Sequence, residues 1–341
     1  MSPDADLADR VRDAAQREAR RHDGLVVAAV AGGRTAVHGA GRGAAAAPDG
    51  STLFQVGSVT KVFTTLALAA AVTRGELSLD TPVDDLLPAL PTPAPRPPIT
   101  LAQLASHSSG LPRLPPGVLL RGLRQRSDPY RGLGPEDLLA AYARARPSAR
   151  PGRRVTYSNF GVALLGAALA RHAGTSWEQL VADEVTGPLG LRDTVPAVRP
   201  DQQDRRAAGH SRRGRPVPDW DLAAVAPAGG LWSSADDVLA FVRAHLVPQE
   251  GPLSGALRLV QEPQARANRW LQVCSGWMLT PLRGSDHPVW WHNGGTGGFA
   301  SFVGFQPDLG TGVVVLSSTA RSVDRAGMSL LTELVNTAEA G

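Results

Sequence analysis

The chain has 341 residues, 43% hydrophobic and 19% charged, with a formal net charge of +4. That length suits one large domain or two small ones around a buried core, and so mild a charge requires no nucleic-acid partner. The 37 glycines and 28 prolines follow no triplet period, which excludes a collagen-like or wholly disordered chain.

Thirty-four of the 35 basic residues are arginine; Lys61 is the one lysine. Arginine use on this scale, in a chain rich in Ala, Gly and Pro, is the mark of GC-rich coding. Where such a bias spares one lysine, arginine cannot serve. Cys274 is the single cysteine, which excludes internal disulfides and a cysteine-built zinc site. The histidines form no H-E-x-x-H pattern, so neither metal nor cofactor is expected.

Residues 6–21 read as a charged amphipathic helix. The first 24 residues show no basic start followed by an apolar core, and no run of about 18 apolar residues occurs. As written, the chain is expected in the cytoplasm and off the membrane, unless a leader has been removed. Residues 25–31 and 35–39 read as strands joined by Gly32-Gly33. A Gly/Ala loop covers 40–51. Residues 59–74 are apolar enough for a buried helix. A proline-rich connection (88–98), a short helix (101–106) and an irregular stretch (112–135) follow. Residues 135–146 and 161–173 read as helices, and 196–218 as a polar loop rich in arginine. Ser233 and Ser234 are cap candidates for a helix over 235–246. Residues 273–279, 289–292, 300–306 and 312–317 read as strands, and 322–337 as a last helix.

Strands thus occupy both chain ends, and helices with long loops fill the middle. The short turns between the last strands point to antiparallel pairing. The expected fold class is α+β: an antiparallel sheet built from both chain ends, flanked by helices, with a mostly helical insertion. Residues 1–85 and 258–341 are expected to form the sheet domain and 86–257 the helical domain, with the active site in the cleft between them.

Three stretches carry chemistry. In Gly57-Ser58-Val59-Thr60-Lys61 the helix starts at Ser58, and three residues on is the same face, one turn up. Lys61 can therefore aim its amine at the Ser58 hydroxyl, while the helix N-terminus favours a developing alkoxide. Burial lowers a lysine pKa, which helps the amine accept a proton. In Tyr157-Ser158-Asn159, Asn159 can cap the next helix with its amide facing a cleft. A phenol beside a protonated lysine becomes a usable general base near neutral pH. In His292-Asn293-Gly294-Gly295 a strand runs into glycines, which let backbone approach a ligand and aim an N–H at an oxyanion.

Together these residues resemble the serine β-lactamase and penicillin-binding-protein superfamily. The Tyr-x-Asn motif is similar to that of its class C β-lactamases, serine DD-carboxypeptidases and related esterases. Residues 104–112 (LASHSSGLP) and 229–237 (GGLWSSADD) resemble two further segments of that branch. The resemblance implies a β-lactamase/transpeptidase-like fold. It also implies Ser58 as the acylated nucleophile, Lys61 as its proton shuttle and Tyr157 as base. His292 stands where many members have lysine. The amides of Ser58 and Gly295 would form the oxyanion hole, and Asn159, Asn293 and Gly294 would contact substrate. A histidine is only partly charged near pH 7, so carboxylate binding through His292 is expected to be weak and pH-dependent. Lys61→Arg is expected to abolish acylation and leave the fold intact, because a guanidinium keeps its proton.

His107 reads as a residue that fixes a loop. Asp84-Asp85 and Asp236-Asp237 suit helix starts. Two arginine clusters (Arg121, Arg124, Arg126, Arg131; and Arg205, Arg206, Arg212, Arg213, Arg215) read first as solvated surface. Their sharper reading is a docking site for an acidic carrier protein delivering an acyl thioester. The favoured function is a serine hydrolase taking an ester or amide of a small-molecule or short-peptide acyl donor. One alternative is an acyltransferase or peptide cyclase of secondary metabolism, in which an amine or alcohol captures the same acyl-enzyme. Another is a non-catalytic penicillin-binding-like sensor.

Overall fold

Leu25–Ala31 is apolar at every position, the pattern of a strand covered on both faces. The computed structural model of the chain describes residues 3–42, 47–88, 97–118, 128–246 and 250–340. Ten strands lie within them: β1 (Leu25–Ala31), β2 (Arg34–Ala40), β3 (Leu53–Gln55), β4 (Trp232–Ser234), β5 (Ala265–Asn268), β6 (Leu271–Val273), β7 (Met278–Thr280), β8 (Val289–Gly295), β9 (Ala300–Gln306) and β10 (Thr311–Ser317). Eight form one sheet in the order β2-β1-β10-β9-β8-β7-β6-β5, and β3 pairs with β4 apart from it. Each named pair is antiparallel. The two chain ends meet where β1 lies beside β10, with Leu25 opposite Ser317 and Ala31 opposite Thr311.

The longer helices are α1 (Pro3–Ala19), α2 (Thr60–Thr73), α3 (Pro135–Arg144), α4 (Asn159–Ala173), α5 (Ala235–Leu246) and α6 (Asp324–Ala340). Alternate β1 side chains enter different cores. Leu25, Val27 and Ala29 join Leu7 and Val11 of α1 and Leu331 and Val335 of α6. Val26, Ala28 and Val30 join the larger core, which holds α2, α4 and α5. Both faces of the sheet are therefore covered, and each fully buried Val or Leu adds about 1.5–3 kcal/mol. Helix α2 is buried along its whole length from Thr60 to Ala71, as its all-round apolar sequence requires. Among the described residues no helix is long and apolar enough to cross a membrane.

Several boundaries differ from the sequence expectations. Residues 273–279 form two strands, because Gly276 turns the chain at φ +81° and Cys274 N–H donates to the Trp277 carbonyl. The apolar residues in that turn concealed it. Strands β3, β4 and β5 were not foreseen, being too short for a period-2 signal. Strand β8 runs on through Gly295, since its glycines still pair, Gly294 with Ser301 and Gly295 with Ala300. Ser158, not Asn159, caps α4: its hydroxyl accepts from Gly161 N–H at 2.9 Å. Asp84 and Asp85 lie in the first turn of the short helix Val83–Leu86, and Asp236 and Asp237 in that of α5.

Candidate active site

Ser58 sits in the 3-10 turn Gly57–Val59 that leads into α2, and Lys61 follows one turn later. The Lys61 amine donates to Ser58 Oγ at 3.0 Å and to the Ala228 carbonyl at 2.5 Å. Lys61 has no exposed surface. Burial, helped by the Arg113 charge, drives its amine well below the usual lysine range. The Ala228 carbonyl is delivered by residues 227–231, which clasp α2. The Thr64 hydroxyl donates to Pro227 O at 2.8 Å, and Leu231 N–H donates to the Thr60 hydroxyl at 3.0 Å.

Tyr157 is held by His107. The His107 carbonyl accepts from Thr156 N–H at 2.7 Å, and its Nδ1 accepts from Ser158 N–H at 3.2 Å. The His107 ring lies 4.4 Å from the Tyr157 ring, and His107 itself is buried with φ +59°. Its loop-fixing part is thus to grip the tyrosine turn. Desolvation in the cleft wall pushes the Tyr157 phenol up to about 12, with the nearby Ser58 hydroxyl pulling weakly the other way. This corrects the expectation of a phenolate near neutral pH. The lysine meant to stabilise it is itself driven toward its neutral form, so resting Tyr157 keeps its proton.

Strand β8 lies directly against the Ser58 turn. A Cβ on Gly294 would fall on the Val56 carbonyl oxygen and 2.9 Å from Ser58 N, and one on Gly57 would come 2.5 Å from Gly295 N. Only glycine lets these backbones touch, and the touch brings the Ser58 and Gly295 amides together. The Ser301 hydroxyl latches the contact by donating to Val56 O at 2.7 Å.

His292 departs from expectation. It is fully buried, and its Nδ1–H donates to the Asn293 carbonyl at 2.6 Å. Burial, with the nearby Lys61 charge, pushes its pKa down to about 3. His292 is therefore a neutral group under the cleft and not a partly charged carboxylate contact. The Asn293 side-chain amide is also committed, donating to Asp324 at the start of α6 at 2.8 Å.

Ser58, Tyr157, Asn159, Asn293, Gly294 and Gly295 line one cleft of about 900 Å³. Lys61 and His292 do not line it but lie buried below. The Asn159 amide donates to the Tyr130 hydroxyl at 3.3 Å, and Tyr130 meets Trp220 edge-on at 5.7 Å. Tyr130, Trp220 and Arg113 also line the cleft. No motif or periodicity tied these three to Ser58; the scarcity of tyrosine, three in the chain, was the one available hint. Arg121, Arg124 and Arg126 lie outside the described residues. Arg131 approaches Asp128 at 3.7 Å, Arg205 pairs with Asp193 at 2.6 Å, and Arg206 pairs with Asp219. These three arginines therefore already serve the chain's own carboxylates.

Comparison with known proteins gives a consistent result. A family model described as Beta-lactamase matches residues 8–337. The chain is 29% identical over 299 residues to a Beta-lactamase of Escherichia coli (strain K12), covering 78% of this chain and 75% of that protein. It is 26% identical over 290 residues to the D-alanyl-D-alanine-carboxypeptidase/endopeptidase AmpH of the same organism, covering 79% and 71%. The structure is similar to the crystal structure of a class C beta lactamase from Rhodobacter sphaeroides, with TM-score 0.80 and 25% identity over 98% of this chain and 99% of that one.

Proposed function

This chain belongs to the Beta-lactamase family of serine hydrolases, and from that premise we propose that it cleaves an ester or amide of a small molecule or short peptide through an acyl-enzyme on Ser58. The observation that carries the reading is the Lys61 amine, fully buried, depressed in pKa and 3.0 Å from Ser58 Oγ. In that state it is a base already poised on the hydroxyl.

Ser58 Oγ attacks the substrate carbonyl as its proton passes to the Lys61 amine, which burial biases toward its neutral form. The oxyanion is received by the Ser58 and Gly295 N–H groups, drawn together by the close approach of Gly57 to Gly295 and of Gly294 to Ser58. Tyr157, which burial keeps protonated in the wall of the cleft that Ser58 lines, relays a proton to the leaving group and is reprotonated from Lys61. Water then attacks the Ser58 ester, its proton returning by the same path, and the acid is released. Asn159, beside Tyr130, offers the substrate an amide contact. The activities printed for the two relatives, β-lactam and D-alanyl-D-alanine hydrolysis, name the first substrates to try.

The test is mass spectrometry after treatment with an uncharged fluorophosphonate. A single adduct on Ser58, lost in Ser58→Ala, is the expected result. No adduct with this or any acylating probe overturns the proposal.

A further inference from the structure

Among the described residues that line the Ser58 cleft, Arg113 is the one charged side chain. The remaining lining is neutral: apolar Leu114, Val118, Pro129 and Met278, the aromatic pair Tyr130 and Trp220, and the motif residues. The other basic groups near the chemistry among the described residues, Lys61, His107 and His292, are all buried, and burial pushes the pKa of each down. Among the described residues, the positive charge open to this cleft is therefore the Arg113 guanidinium.

Its position is set by the backbone. The Arg113 carbonyl accepts from Asn159 N–H at 2.9 Å and Phe160 N–H at 3.3 Å, which ties it to the first turn of α4. From there the side chain reaches back over Tyr157, with its guanidinium carbon 5.2 Å from the ring centroid. The Lys61 amine lies 4.9 Å from the same centroid. Arg113 is exposed, and none of the ion pairs among the described residues engages it. A guanidinium resting on an aromatic ring keeps its N–H edges free, and those edges match a planar carboxylate in a two-point pair.

We propose that Arg113 binds a carboxylate on the acyl donor, and so makes this cleft selective for anionic substrates over their neutral counterparts. The inference rests on the reading that Ser58 is the acylated nucleophile, and it assigns the charge that such a substrate carries.

Calorimetric titration of the intact Ser58→Ala protein, with benzoylglycine and with its uncharged methylamide as probes, tests the proposal without any turnover. At low salt the carboxylate should bind about tenfold tighter than the amide. Arg113→Gln should remove that preference, and Arg113→Lys should keep part of it. Equal affinity for the two probes, no binding of either, or a preference that survives in Arg113→Gln would each overturn the assignment. A role confined to the electrostatics of Lys61 and Tyr157 would give equal affinities. Fluorophosphonate labelling of the wild-type protein is read separately. Labelled Ser58 with no charge preference sinks only the Arg113 proposal, and unlabelled Ser58 sinks the hydrolase reading.

Discussion

Lys61→Met separates the chemistry of Lys61 from its structural part. Methionine keeps an unbranched, flexible chain that can fill the lysine's buried space. The substitution deletes two hydrogen bonds, to Ser58 Oγ and to the Ala228 carbonyl. Leaving the Ala228 oxygen unpaired costs about 1–3 kcal/mol. Part of that is offset because a buried amine no longer has to be stripped of water, so the variant should fold. Loss of a positioned general base slows the reaction by about 10²–10⁴, or roughly 3–5 kcal/mol of barrier. The assay is the rate of fluorophosphonate labelling at Ser58, with urea unfolding followed in parallel. Labelling within tenfold of wild type, in a folded variant, would refute Lys61 as the acceptor of the serine proton. The structure also revises the expectation for Lys61→Arg. At a site with no exposed surface, where even a lysine is pushed toward neutrality, a permanent cation costs several kcal/mol. That variant should fold poorly, which makes methionine the cleaner probe.

Gly294→Ala should reduce labelling at least about 100-fold, the effect of losing an oxyanion donor, because a methyl group there forces β8 off the Ser58 turn; a rate near wild type would show that the amide contact is dispensable. His107→Ala should lower kcat about tenfold, with KM little changed, since the Ser158 N–H loses its acceptor and the Tyr157 turn loosens. His107→Asn, which tolerates the left-handed backbone, should recover part of the loss, and equal rates in both variants and wild type would remove His107 from the positioning role. His245 is ringed by Phe241, Trp277 and Phe305 at 4.6, 5.2 and 5.0 Å, and burial pushes its pKa down to about 4. The unfolded chain then binds the extra proton, so stability is lost as pH falls from about 6.5 toward 4, by about 3 kcal/mol from this residue. His245→Gln should flatten the fall of the urea midpoint between pH 7 and 4.5, and an unchanged slope would contradict the assignment.

Much of the site was legible because its spacing is local. Ser58 and Lys61 are one helical turn apart, and that turn alone places amine against hydroxyl. The apolar runs at 25–31, 300–306 and 312–317 announced strands, and their places at the two chain ends announced the sheet. The glycines at 294 and 295 signalled a close backbone approach without saying to what. What could not be read is whatever depends on distant chain closing over a group. Burial by the segment that brings Ala228 lowers the Lys61 amine, and burial of the β8 residue His292 makes its ring neutral. His107, 50 residues upstream of Tyr157, fixes its turn. The Ser158 hydroxyl takes the helix cap and leaves Asn159 to the cleft. Among the described residues, Arg113 is the cation open to the cleft because the fold buries Lys61 and His292. The sequence by itself determined which reactive groups the chain carries and which neighbours a single helical turn can join. Their protonation states and their access to substrate were decided by the tertiary structure, because both follow from how much water each group loses, and that is set by residues far away along the chain.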